Sequence, residues 1–202
     1  FKEKQTIYCG FDPSFKSLQL GNYIMITILK RLQKAGHKII AVLGGATGMI
    51  GDPSGRNSER SFQDENTLFE NAKAIKNQLA KYIDTSDPEK GIIVNNYDWL
   101  SKLSMIDFLR DYGKLFSVNT MLNKEVVSSR LETGISYTEF TYQILQSIDF
   151  LHLYRHNDVH LQIGGADQWG NITSGIDLIH KIEGPDAKAF GLTIPLMLKS
   201  DG

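Results

Sequence analysis

Apolar residues fall along this chain in two alternating rhythms. Short runs at Thr6 to Gly10, Lys38 to Leu43, Gly91 to Val94, His160 to Ile163 and Leu192 to Leu196 read as strands. Between them, helical spacing predicts helices over Gly21 to Ala35, Glu65 to Ile83, a short pair within Trp99 to Tyr112, Met121 to Leu131, Thr138 to Tyr154 and Trp169 to Ile182. Gly36 after the first and Asp64 before the second are the expected caps. Strand-helix alternation predicts an α/β fold with a parallel sheet flanked by helices. The stretch 99–138 is helical in pattern throughout and interrupts the strands, so it reads as an insertion between sheet halves. Open parallel sheets bind ligands beyond the carboxyl ends of their strands, which singles out the loops after Gly10, Leu43 and Ile163.

Composition narrows this picture. The 202 residues, 41% of them hydrophobic, suit one domain with an inserted subregion. With 22 basic and 23 acidic residues the net charge is -1, so any contact with nucleic acid is local or lies elsewhere. The single cysteine, Cys9, excludes an internal disulfide and a cysteine-based zinc site, and suits a reducing, cytoplasmic setting. No apolar run approaches the ~20 residues that span a bilayer, and Phe1-Lys2-Glu3-Lys4 lacks the layout of a signal peptide, so no membrane role is expected. The missing initial Met and the closing Lys199-Ser200-Asp201-Gly202 read as cut ends.

The three loops have unusual content. The first is Gly10-Phe11-Asp12-Pro13-Ser14, running through Gln19-Leu20-Gly21-Asn22 into a helix whose first amides can bind phosphate. The second is Gly44-Gly45-Ala46-Thr47-Gly48, continuing to Gly51-Asp52-Pro53-Ser54-Gly55, with Arg56 and Arg60 beyond it. The third is Gly164-Gly165-Ala166-Asp167-Gln168-Trp169-Gly170-Asn171. Glycine lets backbone approach a ligand, and Asp or Gln beside it can take ribose hydroxyls or an ammonium group. None carries a Walker lysine or dinucleotide spacing, and each alone reads equally as a tight turn. Together they point to a nucleotide site. Farther on, Tyr142, Gln146 and Asp149 share one helix face, which either meets water or lines a small polar cleft.

Tyr8-Cys9-Gly10-Phe11-Asp12-Pro13, the Gly44 to Gly55 loop, Asn95-Asn96-Tyr97-Asp98-Trp99 and Gly165 to Asn171 closely resemble the corresponding motifs of bacterial and organellar tyrosyl-tRNA synthetases, in order and almost end to end. The resemblance implies the greater part of a class I Rossmann-like catalytic domain. Such a domain condenses tyrosine with ATP, accompanied by Mg2+, to tyrosyl-adenylate and pyrophosphate; the full-length enzyme then transfers tyrosine to tRNA(Tyr). No tightly bound, protein-ligated metal is implied. By the same resemblance, Tyr8 and Asp149 take the phenolic hydroxyl, and Asp52, Tyr142 and Gln146 the ammonium group. Gln168 orients carboxylate and ribose, while Cys9, Gly10, Asp12, Gly21, Gly165 and Asp167 contact the ATP or adenylate. Ser14, Gln19, Asn22, Arg56 and Arg60 are the implied catalytic set, with Ser14, Gln19, Arg56 and Arg60 toward the phosphates and Asn22 toward a ribose oxygen, and the inserted helices, around Leu115 to Tyr137, form a homodimer interface.

Two departures qualify the expectation. The family's His-Ile-Gly-His signature is replaced by Gln19-Leu20-Gly21-Asn22, which hydrogen-bonds but cannot become a cation. Slower or retuned adenylation with intact tyrosine binding is expected. The lysine-rich second signature and the anticodon-binding parts are expected beyond Gly202, so most tRNA contact lies outside this chain. Two alternatives remain: a catalytically impaired, synthetase-derived RNA-binding or splicing protein, and a tryptophanyl-tRNA synthetase, against which the hydroxyl-reading pair Tyr8 and Asp149 argues.

Overall fold

Strands β1 (Thr6–Phe11), β2 (Lys38–Leu43), β3 (Gly91–Asn95), β4 (Leu161–Gly165) and β5 (Phe190–Ile194) hydrogen-bond as one parallel sheet in the order β3-β2-β1-β4-β5. The structure is a computed structural model and describes residues 3–54 and 63–197. Each expected strand is present, β2 with the expected ends and the others with one or both ends shifted by a residue or two. β5 starts early because Phe190 N–H reaches the His160 carbonyl at 2.8 Å, and it stops before Pro195, which has no N–H to continue the ladder.

The helices are α1 (Leu20–Lys34), α2 (Thr47–Ile50), α3 (Glu65–Leu79), α4 (Tyr97–Leu100), α5 (Met105–Asp107), α6 (Val118–Leu122), α7 (Glu125–Ser128), α8 (Tyr137–Asn157) and α9 (Trp169–Glu183). Gly36 ends α1 at φ 97°, and the Asp64 carboxylate caps α3 by accepting from Thr67 N–H at 2.9 Å. The single helix expected over Met121 to Leu131 is instead α6 and α7. Lys124 between them is extended (ψ 135°), and its ammonium group is drawn 2.9 Å from the Thr173 hydroxyl on α9. A π-helical turn at Phe108–Tyr112 and a 3-10 turn at Gly113–Leu115 also break the helical stretch 99–138.

Alternation along the central strands divides the core in two. Ile7, Cys9 and Phe11 of β1, with Ile39 and Ala41 of β2, pack against Met25, Ile26 and Leu29 of α1 and Ile75 and Leu79 of α3. Tyr8, Ile40 and Val42 point the other way, toward Ile144, Ile148 and Leu151 of α8 and Leu178 and Ile179 of α9. Helices thus cover both faces, as a sheet of continuous apolar strands requires.

The turn into α8 is held by a buried ion pair. Arg130 donates to Glu139 at 3.0 Å and to the Gly134 carbonyl at 3.1 Å, with side chains 4% and 2% exposed. Removing one partner strands the other charge in the interior. Glu139→Ala is therefore expected to lower stability by ~3–5 kcal/mol, read as a drop in the urea midpoint at unchanged slope; a loss under ~1 kcal/mol would show that water already solvates Arg130.

Candidate functional site

After β3 the chain returns to the other side of β1, so the β1/β4 junction is the switch point where such sheets open a crevice. A cavity of about 480 Å³ lies there. Its floor follows from strand alternation: Tyr8 of β1 and Gln162 of β4, paired in register, both face α8. Opposite them stands Asp149 of α8, 4% exposed. Trp99 Nε1 donates to its Oδ1 at 2.7 Å and Asn96 Nδ2 to its Oδ2 at 2.9 Å. Burial pushes the Asp149 carboxyl up to about 7; the two donors pull it down and Asp12 pushes it up again. Burial, then Asp149, raises the Tyr8 phenol well above its usual range. Tyr8 Oη and Gln162 Oε1 are buried without a protein partner, which leaves polar capacity at the floor for a ligand hydroxyl.

One wall is a directed hydrogen-bond chain. Asn96, 1% exposed, accepts from Ala46 N–H at 2.8 Å and donates to Thr47 Oγ1 at 2.9 Å; the Thr47 hydroxyl donates to Asp12 Oδ1 at 2.9 Å, and Tyr142 to Asp12 Oδ2 at 3.0 Å. Burial, with Asp12 and Asp52 nearby, raises the Tyr142 phenol as well. Gly44 belongs to this wall because a Cβ there would land on the Asp12 carboxylate, 2.6 Å from Thr47 Oγ1.

The other wall is an amide relay. Asp52 accepts from Gln168 Nε2 at 2.7 Å, Ser54 N–H at 2.9 Å and Asn171 Nδ2 at 3.4 Å. Gln168 Oε1 accepts from Gln146 Nε2 and Asn171 Nδ2, both at 3.3 Å. With its amino group so directed, Gln146 turns its carbonyl oxygen away as an acceptor.

At the rim, Ser14, Gln19, Gly21 and Asn22 line the cavity, and Asn22 Oδ1 accepts from Gln19 N–H at 3.1 Å across the first turn of α1. This loop is held from α3: Gln78 accepts from Leu18 N–H at 3.0 Å and donates to the Lys16 carbonyl at 3.1 Å, while buried Asn71 donates to the Pro13 carbonyl at 3.1 Å. Cys9, Gly10, Gly165 and Asp167 line the same cavity, and burial pushes the Cys9 thiol up to about 12. Every expected site residue therefore converges here except Arg56 and Arg60, which lie outside the described residues. The stripe Tyr142, Gln146 and Asp149 faces the cleft and not water. Sequence reasoning gives no role to Thr47, Asn96, Trp99, Gln162 or Asn171. Asn96 follows the carboxyl end of β3, and applying the strand-end rule to that loop too would find it.

Among the described residues, four aspartates and no basic side chain line the cavity, a field that favours an ammonium group. Among them, no three His, Cys, Asp or Glu side chains are placed to hold a metal ion, and no helix is long and apolar enough to cross a membrane.

Comparison with known proteins matches residues 2–202 to the family described as tRNA synthetases class I (W and Y). The tyrosine–tRNA ligase of Limosilactobacillus reuteri is 65% identical over 201 residues, covering 100% of this chain and 48% of that protein. The chain thus spans about half the length of the curated relatives it matches. Among solved structures, a C-terminally truncated mitochondrial tyrosyl-tRNA synthetase of Aspergillus nidulans superposes with TM-score 0.88 at 28% identity, over 99% of this chain and 63% of that one. A tryptophanyl-tRNA synthetase of Campylobacter jejuni shares the fold, with TM-score 0.70 at 16% identity over 98% of this chain and 61% of the other.

Proposed function

Because this chain belongs to the class I tRNA synthetases of the W and Y group, we propose that it is the tyrosine-activating region of a tyrosine–tRNA ligase. The observation that carries this reading is the cavity floor, where Asp149, oriented by Asn96 and Trp99, stands opposite the unpartnered hydroxyl of Tyr8. A phenol bridging them satisfies both. An indole offers only an N–H donor, which can satisfy Asp149 but cannot accept from the Tyr8 hydroxyl, and this disfavours tryptophan; a site built to bond a hydroxyl rejects its absence by ~10⁴ to 10⁵.

Asp52, Tyr142 and the Gln146 carbonyl hold the ammonium group. The tyrosine carboxylate attacks the α-phosphate of ATP; a carboxyl–phosphate bond forms as pyrophosphate leaves, and catalysis is positioning with charge stabilisation. Cys9, Gly10, Asp12, Gly21, Gly165, Asp167 and Gln168 hold the nucleotide, and Mg2+ arrives with ATP as substrate. Ser14 and Gln19 meet the phosphates at the start of α1, with Arg56 and Arg60, and Asn22 reaches a ribose oxygen. Exposed Met105, Ile106, Val118 and Tyr137 support a homodimer interface within 99–138. Contact with tRNA(Tyr) is made mainly by regions beyond this chain, and the buried lone cysteine suits the cytoplasm.

The test is tyrosine-dependent ATP–pyrophosphate exchange by the full-length protein, with phenylalanine and tryptophan as controls. Exchange with tyrosine alone is expected; tyrosine binding without exchange would favour a catalytically impaired descendant. Gln19→His should raise kcat roughly 10-fold at unchanged tyrosine KM, because an imidazolium adds a charge-assisted bond to phosphate. An unchanged rate would mean that Gln19 already supplies what the reaction needs there.

A further inference from the structure

The polar stripe of α8 does not end at Asp149. One turn on, at the same face, comes His152, and a turn later His156. The His152 imidazole stacks on the Trp99 indole, centroids 4.4 Å apart and planes 11° from parallel, and His156 stacks on His152 at 4.3 Å and 26°. His156 is itself fixed, with Nδ1 2.8 Å from the His152 carbonyl. Three rings thus run from the Asp149 carboxylate at the cavity floor to the surface.

Trp99 needs such support. It sits on α4, a four-residue helix with no fully buried residue, and packs only partly buried against the core, yet its indole N–H must stay on Asp149 Oδ1 at 2.7 Å. A ring free to rotate about its side-chain torsions would release that oxygen. We propose that His152 is a positioning residue for tyrosine recognition: by stacking on Trp99 it holds the indole N–H on Asp149, and so fixes which carboxylate lone pairs face the substrate hydroxyl. The stack presents a neutral ring to the indole at ordinary pH, since burial and His156 hold the His152 imidazole down at about 4.

The inference rests on the reading of this cavity as a tyrosine pocket. It is tested on the full-length protein by equilibrium dialysis with tyrosine and with phenylalanine. His152→Ala should weaken tyrosine binding about 5- to 10-fold and shift phenylalanine less than about twofold, so that the selectivity ratio falls. His152→Phe, which keeps a flat ring, should restore the ratio. An unchanged ratio in His152→Ala, equal weakening of both amino acids, or no rescue by His152→Phe would overturn the inference. A wild-type protein with no preference for tyrosine overturns the reading of the pocket along with it; a wild-type preference whose ratio is unchanged in His152→Ala overturns the inference alone.

Discussion

Asp149→Asn is expected to weaken tyrosine binding by roughly 10- to 100-fold while leaving phenylalanine binding almost unchanged. The Asp149 carboxylate takes the Trp99 N–H on one oxygen and an Asn96 N–H on the other, with lone pairs left for a substrate hydroxyl. An asparagine has one acceptor oxygen, so its amino group must confront one of those donors, and the phenol loses a charged acceptor worth ~1.5–3 kcal/mol. Phenylalanine never made that bond. Equilibrium dialysis with both amino acids measures the ratio; equal losses would remove Asp149 from hydroxyl recognition.

The same carboxyl sets a pH dependence. Its value rises from ~3.9 in the unfolded chain to about 7 in the native one, so between those limits the native state holds a proton that the unfolded state has lost. Its contribution to stability is full below about pH 4 and diminishes as pH rises to about 7. Tyrosine binding runs the opposite way, because accepting a phenolic proton requires the carboxylate: affinity should fall up to ~10-fold per pH unit below about 7. The Asp149→Asn variant, with no proton to gain or lose at that position, should show neither slope.

The architecture was legible because the signals were local and periodic. β1 and β2 are short apolar runs whose alternate residues feed two cores, and the capping of α1 by Gly36 and of α3 by Asp64 follows from backbone sterics and one side-chain acceptor. Periodicity put Tyr142, Gln146 and Asp149 on one face of α8 but left open whether that face met water or a cleft, and the roles expected of the strand-end residues came from the resemblance to the synthetases. What escaped was set by tertiary contact. The break between α6 and α7 depends on Lys124 reaching Thr173, 49 residues on, and the role of Asn96 exists only because α2, α4 and α8 meet around it. Likewise, nothing local in Trp99 or His152 says that their rings stack, 53 positions apart in the chain.

Asp52→Asn should produce the complementary loss: tyrosine and phenylalanine binding both weakened, by about 100-fold, at an unchanged ratio. Three donors converge on the Asp52 carboxylate, and the polarity of the whole relay starts from it. Because Asp52 accepts, Gln168 must present its amino group there and its carbonyl to Gln146, and Gln146 in turn keeps a free carbonyl for the ammonium group. An asparagine that offers its amino group to Gln168 sets donor against donor. If Gln168 flips in response, Gln146 follows, and its amino group then points at the cation it should accept. The ammonium group is common to both amino acids, so the loss is shared, in contrast to Asp149→Asn. Dialysis of both ligands against both variants separates the two halves of the pocket; a selectivity change in Asp52→Asn would mean that the relay reaches the floor through Asp12 and Tyr142 and that the halves are coupled.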